Sequence, residues 1–337
     1  MGAVSEFEYR YNMTMKIFHS HAEPAFETPQ QQETVWGQQW GCDNDVGQLR
    51  KVLMHRPGEE MNIIDPSKRI EELGSYGDVE GQTWYWRGDV IPTLAEQQAQ
   101  HDALADTLRK EGVEVVYLKR CAPGRHKSIY TRDSVIGVKG GAIVTRLGPI
   151  VRRGEEAPAT ETLASIGMPI LRTVHGTGLM EGGSFAWLKP GLAAVGRSNR
   201  VNEEGTRQVE EVLKAQGCEL LRVDLTGYRL HIDGNLVMID VDTAIINPTQ
   251  LPFWFLEKLK ELGIRTIEVS PDDPSGAVNC IAVRPGRVVM EANLSPRTAD
   301  KLDRLGIEIV DVKYDKIWLG GGGIHCSTSP LVRDSIS

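Results

Sequence analysis

The sequence predicts an α/β fold in which one unit, strand–strand–helix–strand, is repeated five times. Five glycines recur at regular intervals, each after a helix-like segment and before a strand-like one. Paired strand-like runs stand ahead of most of these helices. Units that close into a ring give a five-bladed α/β propeller with pseudo-fivefold symmetry and no open ends. An ordinary three-layer α/β sheet is the alternative, and the fivefold recurrence favours the ring.

Each predicted helix ends at a glycine, because a glycine adopts the left-handed conformation that terminates a helix. The five glycines are Gly112, Gly167, Gly217, Gly263 and Gly306. The runs that follow them are rich in β-branched and aliphatic residues, which is typical of strands. These predicted strands cover residues 113–118, 168–174, 218–225, 264–270 and 307–314.

The helix starts and the hairpins are also visible in the sequence. Thr93 and Glu96 form a capping box, and Ser295 caps a helix whose first turn holds Pro296. The helix before Gly167 is limited by Pro158. Three hairpins are predicted, with strands at residues 135–138 and 142–146, 236–239 and 243–246, and 281–284 and 287–291.

Residues 1–40 are predicted to form a flexible N-terminal arm, since Pro24 to Thr34 is rich in Pro, Gln and Glu. The remaining residues, 41–337, are predicted to form a single α/β-propeller catalytic domain. A chain of 337 residues is long enough to bury a substantial core.

Composition narrows the function classes. The net charge of −8 argues against a nucleic-acid partner. The sequence contains neither a long apolar stretch nor a secretory signal, so we expect no membrane partner. Five scattered cysteines without a CxxC pair indicate neither a zinc site nor a disulfide framework. We therefore expect a cytoplasmic protein that needs no metal or cofactor, and the sequence leaves a homo-oligomer open.

Residues with useful chemistry follow the closing strands of the units at similar distances from the helix-end glycines. They are Asp133, Glu181, His231 with Asp233, and Cys326. In a ring, equivalent positions surround one axis, so we expect these side chains to meet. Asn279 and Cys280 hold the corresponding place in the fourth unit and receive no role.

The residue types predict a reaction at a guanidinium group. A cysteine thiolate is a strong nucleophile, and a histidine can protonate a leaving group and then accept a proton from water. Planar carboxylates suit the paired donors of a guanidinium, and the cationic substrate favours the thiolate. We expect a small guanidino substrate to be attacked at carbon by Cys326.

These residues also resemble those of the guanidino-modifying, or pentein, superfamily. The likeness runs from about Asn44 to Arg333 and is strongest to arginine deiminase, with dimethylarginine dimethylaminohydrolase and amidinotransferases as relatives. The opening strand is similar (DVGQLRKVLMHRPG, residues 45–58), and four blocks match in family order: TRD at 131–133, EGG at 181–183, HID at 231–233 and GIHC at 323–326. The resemblance implies a five-bladed α/β propeller.

The resemblance also implies roles. Cys326 would be the nucleophile and His231 the acid and base, while Asp133 and Asp233 would bind the guanidinium. Glu181 would support His231 and substrate. Arg200 matches the arginine that holds a substrate carboxylate.

Two departures from deiminases bear on the substrate. Gly321 stands where deiminases carry a second carboxylate-binding arginine, and Lys127 stands where they carry an asparagine. We predict a carboxylate held mainly by Arg200, with Arg152 or Arg153 as further candidates, and a substrate other than free L-arginine. Trp84 and Trp86, in the run TWYWR, are predicted to form an aromatic wall or lid over the substrate.

Three functions fit these features, and a hydrolase releasing ammonia or an alkylamine is the first. An amidinotransferase would pass the amidino group to an amine, but such relatives usually carry aspartate at the position of Glu181. The third candidate function is a non-enzymatic binding protein with the same fold. It is the least favoured, because binding alone does not require a cysteine, a histidine and carboxylates at equivalent positions of the repeat.

Overall fold

A computed structural model describes residues 4–17 and 26–336. Its eight α-helices among these residues are α1 Glu6–Lys16, α2 Pro29–Trp36, α3 Leu94–Lys110, α4 Glu156–Ser165, α5 Glu203–Ala215, α6 Phe253–Glu261, α7 Pro296–Arg304 and α8 Asp315–Trp318. Each of the five glycines predicted to end a helix has φ between 69° and 81°, as a left-handed terminating residue requires. The helix before Gly167 forms because Pro158 falls in the first turn of α4, where a missing N–H costs no hydrogen bond.

The strands form three-stranded sheets. In chain order they are β1 Leu49–Met54, β2 Arg69–Ile70, β3 Ser75–Asp78, β4 Thr83–Arg87, β5 Glu114–Tyr117, β6 Val135–Val138, β7 Gly141–Val144, β8 Ile170–Thr173, β9 Phe185–Lys189, β10 Leu192–Arg197, β11 Glu219–Asp224, β12 Leu236–Asp240, β13 Thr243–Ile246, β14 Arg265–Glu268, β15 Ile281–Arg284, β16 Arg287–Glu291, β17 Glu308–Val312 and β18 Ser329–Arg333. The three predicted hairpins are β6–β7, β12–β13 and β15–β16.

Five sheets share one topology, in which the middle strand is antiparallel to the first and parallel to the third. Their orders are β18-β1-β5, β6-β7-β8, β9-β10-β11, β12-β13-β14 and β15-β16-β17. A helix connects the two parallel strands in each, as a parallel connection demands. The predicted α/β class and the five strand–strand–helix–strand units are confirmed.

The first of these sheets joins the two ends of the domain. Strand β18, near the C-terminus, pairs with β1, so that Leu53 lies opposite Ser329. Successive sheets also touch: β18 contacts β6, β9 contacts β12, β12 contacts β15, and β15 contacts β1. Their aliphatic inner faces, with the inner faces of the helices, form the core.

A sixth, antiparallel sheet is inserted between β1 and α3. Its order is β2-β3-β4, and it carries the tryptophans of the run TWYWR. Within the described ranges, no helix has the length and apolar character needed to cross a bilayer.

The N-terminal segment differs from the irregular structure predicted for it. Residues of α1 and α2 are helical, and both helices begin with capping boxes, Ser5 with Glu8 and Thr28 with Gln31. Trp36 packs against the core beside Trp40. The part of the predicted arm at residues 18–25, including Pro24, lies outside the described residues, and the division at residue 40 stays a prediction.

Candidate active site

One position in the repeat carries the site: the turn that leads into the first strand of each of the five sheets. Asp133, Glu181 and Asp233 lie in or beside short 3₁₀ turns that precede β6, β9 and β12. Asn279 lies two residues before β15, and Cys326 lies three residues before β18. Because the five sheets share one topology, these turns meet at one end of the sheets.

The turns enclose a cavity of about 230 Å³. The predicted site residues that line it are Trp84, Asp133, Arg152, Arg200, His231, Asp233 and Cys326. Glu181 lies directly beneath this lining and is fully buried. The structure therefore brings together the catalytic and guanidinium-binding residues expected from the sequence, from separate units of the fold.

His231 lies between two carboxylates. Its Nε2 is 2.6 Å from Oε2 of Glu181, and its Nδ1 is 3.6 Å from Oδ1 of Asp133. Burial alone would lower the pKa of His231, but the charge of Asp133 and the hydrogen bond to Glu181 raise it to about 9. The imidazole is therefore protonated at neutral pH and can act as an acid.

Glu181 is held by its neighbours as a carboxylate. The Gly148 N–H donates to its Oε1 at 2.9 Å, and Arg200 Nη1 donates to its two oxygens at 3.1 and 3.3 Å. Burial would raise the pKa of Glu181, but the hydrogen bond and charge of His231 and the charge of Arg200 lower it to about 2. Glu181 therefore keeps its charge and holds the proton on His231.

The Cys326 thiol is buried among polar partners. Its Sγ is 3.5 Å from Oδ2 of Asp233 and 3.2 Å from Nδ2 of Asn279, whose Oδ1 accepts from the Cys326 N–H at 3.2 Å. Burial first, and then the charges of Asp233 and Asp133, raise the pKa of the thiol well above its usual value. These surroundings favour the protonated thiol, and a cation beside the sulfur would favour the thiolate.

Asp233 is supported from behind by His325. Nδ1 of His325 is 2.9 Å from Oδ2 of Asp233, and His325 is absent from the cavity lining among the described residues. Burial would raise the pKa of Asp233, but the hydrogen bond and charge of His325 lower it. The sequence assigned no role to His325, and the structure makes it a positioning residue for Asp233.

The arginines near the cavity have fixed partners. Buried Arg152 pairs with Asp133 and, at 2.7 Å, with Glu155. Arg153 donates to the Leu147 carbonyl and does not line the cavity, so the structure does not place it where a substrate carboxylate could reach. Arg152 faces the cavity but is already neutralised by two carboxylates.

Arg200 faces the cavity and is mostly buried. Glu203, three residues further along the chain, pairs at 2.8 Å with Arg197 rather than with Arg200. The guanidinium of Arg200 lies 5.3 Å from the centre of the Trp84 ring, so Trp84 forms a wall of the cavity.

Trp86 differs from the prediction, because it is 1% exposed and packs in the core with Met61 and Tyr85. Residues two apart in a regular strand share a face, but the pairing of β3 with β4 shifts register between the Tyr76–Trp86 and Gly77–Trp84 pairs, so the alternation is broken between the two tryptophans. The aromatic wall predicted from the sequence thus consists of Trp84, while Trp86 anchors the sheet that carries it.

Three residues that sequence analysis left without a role belong to the site. Asn279 forms hydrogen bonds with the side chain and the backbone N–H of Cys326, and its position in the repeat could have predicted that it lies in the site. Buried Lys127 donates to the carbonyls of Tyr85 at 2.6 Å and Gly320 at 2.7 Å, and so ties β4 to the glycine loop before Cys326. Arg229 lines the cavity, and its buried Nε has no partner among the described residues.

One group of side chains in the site offers ligand atoms for a metal: Asp133, Glu181 and His231. Each carboxylate in it is already paired with an arginine, Asp133 with Arg152 and Glu181 with Arg200. The charges of these arginines disfavour a doubly charged metal ion that would have to share the same carboxylates. The expectation that the enzyme needs no metal stays a prediction.

Comparison with known proteins agrees with this geometry. The profile of the family described as N,N dimethylarginine dimethylhydrolase, eukaryotic, matches residues 88–333, more than half of the chain. A curated N(G),N(G)-dimethylarginine dimethylaminohydrolase from Pseudomonas aeruginosa is 28% identical over 70% of this chain and 88% of its own length. A curated arginine deiminase from Rhodococcus erythropolis is 22% identical over 88% of this chain and 98% of its own length.

Among solved structures, an amidinotransferase from Microseira wollei superposes with a TM-score of 0.67 at 12% identity. It covers 88% of this chain and 98% of the amidinotransferase. This likeness shows a shared α/β fold.

Proposed function

The chain belongs to the N,N-dimethylarginine dimethylhydrolase family, and from this premise we propose that it hydrolyses the guanidinium group of a small amino-acid-like substrate through a covalent intermediate on Cys326. Family membership confirms the resemblance predicted from the sequence and makes the chain a hydrolase of linear amidines. The observation that carries the proposal is one cavity lined by the Cys326 thiol, the His231 imidazole and the carboxylates of Asp133 and Asp233.

We propose that the five sheets form a five-bladed propeller around this cavity. The support is that four of the five junctions between successive sheets are strand contacts, with β15 and β1 joining the last sheet to the first, while Trp187 of β9 donates to the Gly137 carbonyl of β6 at the remaining junction. The pairing of β18 with β1 closes the first blade with the last strand, which removes the open edges of the array.

Substrate binding supplies the cation that the thiol needs. A guanidinium that donates to Asp133 and Asp233 places its positive charge beside Cys326 and offsets the two negative charges that raise the thiol pKa. The thiolate then forms only when substrate is bound. The amide of Asn279 donates to the sulfur at 3.2 Å and stabilises that charge.

The reaction has two halves. Cys326 Sγ forms a bond to the guanidinium carbon, the C–N bond to the departing nitrogen breaks, and His231 gives its proton to that nitrogen. This leaves an amidino thioether. His231 then takes a proton from water, whose oxygen attacks the same carbon, and the C–S bond breaks to give a ureido product and free thiol.

The far end of the substrate is proposed to carry a carboxylate held by Arg200. Arg200 lies at the cavity wall over Trp84, and the guanidinium of Arg229 adds a second positive charge at the same cavity. Arginine binds carboxylates well because its paired N–H groups match the two oxygens. Arg152 is a weaker candidate, since Asp133 and Glu155 already neutralise it.

The test is turnover of a panel of guanidino compounds, with and without a carboxylate and with different alkyl groups on the terminal nitrogens. We expect release of ammonia or alkylamine together with a ureido product, and a mass adduct on Cys326 in acid-quenched enzyme. Release of neither from any compound, with no adduct, would contradict the proposal.

Amidino transfer is the second candidate, favoured by the amidinotransferase among the structural neighbours. In that reaction an amine, rather than water, attacks the amidino thioether. The same panel separates the two, because a hydrolase forms the ureido product in buffer alone. A transferase turns over only when an amine acceptor is added, and its product contains the acceptor nitrogen.

A further inference from the structure

A second group of ligand-type side chains lies outside the active site and has no part in the proposed reaction. It consists of His55, Glu60 and Cys121, whose potential ligand atoms lie within 4.8 Å of one another. His55 and Glu60 are largely buried, while Cys121 is partly exposed. We call these three side chains the outer cluster.

The fold places the outer cluster at the end of two neighbouring strands. His55 directly follows β1, and Cys121 follows β5, which pairs with β1 in parallel so that Met54 lies opposite Tyr117. The Leu118 N–H extends this ladder by donating to the Met54 carbonyl at 3.0 Å. The carboxyl ends of adjacent parallel strands therefore bring the imidazole and the thiol together.

The third member is held in place by the turn after β1. Oε1 of Glu60 is 2.9 Å from Nε2 of His55 and accepts from the Gly58 N–H at 2.7 Å. The Cys121 Sγ is 3.3 Å from Oγ of Ser128, a hydroxyl that can donate to a thiolate. These outer contacts orient the three side chains before any ion arrives, as they do in metal sites.

We propose that the outer cluster binds a zinc ion through His55, Glu60 and Cys121. Imidazole nitrogen, thiolate sulfur and carboxylate oxygen are the donors that zinc takes in proteins, and three of them leave one tetrahedral position open. A thiolate and a carboxylate together balance the two charges of the ion, so the filled site is neutral. Among the described ion pairs, the only partner of Glu60 is His55, and no arginine or lysine is bound to this carboxylate.

This proposal does not depend on the proposed hydrolysis, and its main test is metal content. Cys326→Ser is used as the starting protein, so that the active-site thiol cannot bind zinc. After loading with zinc and exhaustive dialysis, elemental analysis should find one equivalent per chain. Adding Cys121→Ser should remove that equivalent. Adding Cys218→Ser should not, because Cys218 is a similarly half-buried thiol outside the cluster.

An equal zinc content in the two double variants would overturn the proposal. A starting protein without zinc would also overturn it, because the outer cluster would then be a hydrogen-bonded group only. Cobalt gives a second readout. A cobalt-loaded starting protein should show thiolate-to-metal charge-transfer absorption that Cys121→Ser abolishes and that Glu60→Gln weakens.

A third measurement uses the unsubstituted chain and so does not depend on variants that fold. Zinc should protect Cys121 from alkylation by iodoacetamide, as read by peptide mass spectrometry, while Cys218 stays equally reactive. Equal labelling of Cys121 with and without zinc would also overturn the proposal.

Discussion

The active site and the outer cluster hold an imidazole in the same way. His231 is 2.6 Å from Glu181, and His55 is 2.9 Å from Glu60. In both, burial opposes the charge on the imidazole, but neighbouring groups raise its pKa to about 9: the charge of Asp133 and the hydrogen bond to Glu181 for His231, and hydrogen bonds to Cys121 and Glu60 for His55. A histidine paired with a glutamate at this distance therefore does not by itself determine the function of either region.

The two regions differ in what surrounds the pair. In the active site, Arg200 is bound to Glu181, and Arg152 is bound to the adjacent Asp133. The outer cluster instead places its thiol beside the imidazole with no arginine on its carboxylate, among the described residues. The arginines disfavour a metal in one region, while their absence from Glu60 leaves the other region suited to one.

Removing the active-site thiol should have the largest effect on turnover. Cys326→Ser should lower kcat by about 10³ or more, because a serine hydroxyl is a far weaker nucleophile than a thiolate. Cys218→Ser, at a thiol outside both regions, should leave kcat within error. Steady-state assays with circular dichroism as a folding check measure this, and near-normal turnover of Cys326→Ser would remove the mechanism.

Breaking the pair between the His231 imidazole and the Glu181 carboxylate should have the second-largest effect on turnover. Glu181→Gln should lower kcat/KM by about 10² or more, because the acid and base is no longer positioned. The pKa of His231 is raised from 6.5 to about 9, so its protonated form and its contribution to stability are complete below about pH 6.5 and lost as the pH rises through 9.

We therefore expect kcat/KM to fall above about pH 9 in the wild type, and to fall at lower pH in Glu181→Gln. A pH profile of kcat/KM measures this shift. An alkaline limb that does not move would mean that Glu181 does not set the pKa of His231.

The arginine on the active-site carboxylate should mainly affect binding. Arg200→Ala should raise KM for carboxylate-bearing substrates by a factor that corresponds to roughly 1.5–3 kcal/mol. Arg197→Ala is the matched control, since Arg197 forms half-exposed pairs with Glu203 and Asp224 that are worth at most about 1 kcal/mol. An equal loss on substrates with and without a carboxylate would reject the assignment.

Asn279 should have a comparable or smaller effect that acts through the thiol. Asn279→Ala removes two hydrogen bonds to Cys326, so we expect kcat/KM to fall by about 10-fold or more. The thiol should also ionise at higher pH, as seen in the pH dependence of its alkylation. A fall in activity with an unchanged alkylation profile would point to a purely structural role.

Chelation should have the smallest effect on turnover. Exhaustive treatment with a chelator should leave kcat within about twofold, because the proposed nucleophile and acid act without a metal ligand. Loss of activity that returns on adding a metal would mean that Asp133, Glu181 and His231 are ligands instead.

Much of the site could be predicted from the sequence because its residues occupy equivalent positions in successive units of the repeat. Glycine terminators and hairpins are local signals, so they located the turns that carry Asp133, Glu181, His231 and Cys326. Asn279 occupied the same position, but an amide has no obvious chemistry until its distance to a thiol is known. His325 received no role because the neighbour of Cys326 in an extended run is expected to face the other way, and its contact with Asp233 is visible only in the structure.

The arginines and tryptophans show where local signals end. Arg152 and Arg153 are adjacent, yet only Arg152 reaches the cavity, and only one of Trp84 and Trp86 does. Packing between elements decides which side chain of each pair reaches the cavity, and β4 also carries a register shift between its two tryptophans. The helices α1 and α2 were missed for a different reason: the Pro, Gln and Glu content of residues 24–34 predicted a flexible arm, although a capping box begins each helix.

The sequence by itself determined the repeated unit, the turns that carry the chemistry and the residue types in them, because each depends on neighbours along the chain. Only the tertiary structure decided that β18 completes the first sheet, that Asp133 and Glu181 each have an arginine partner, and that His55, Glu60 and Cys121 meet. Those contacts join residues from different elements of the chain. Their geometry depends on how the sheets and turns pack, which no local pattern encodes.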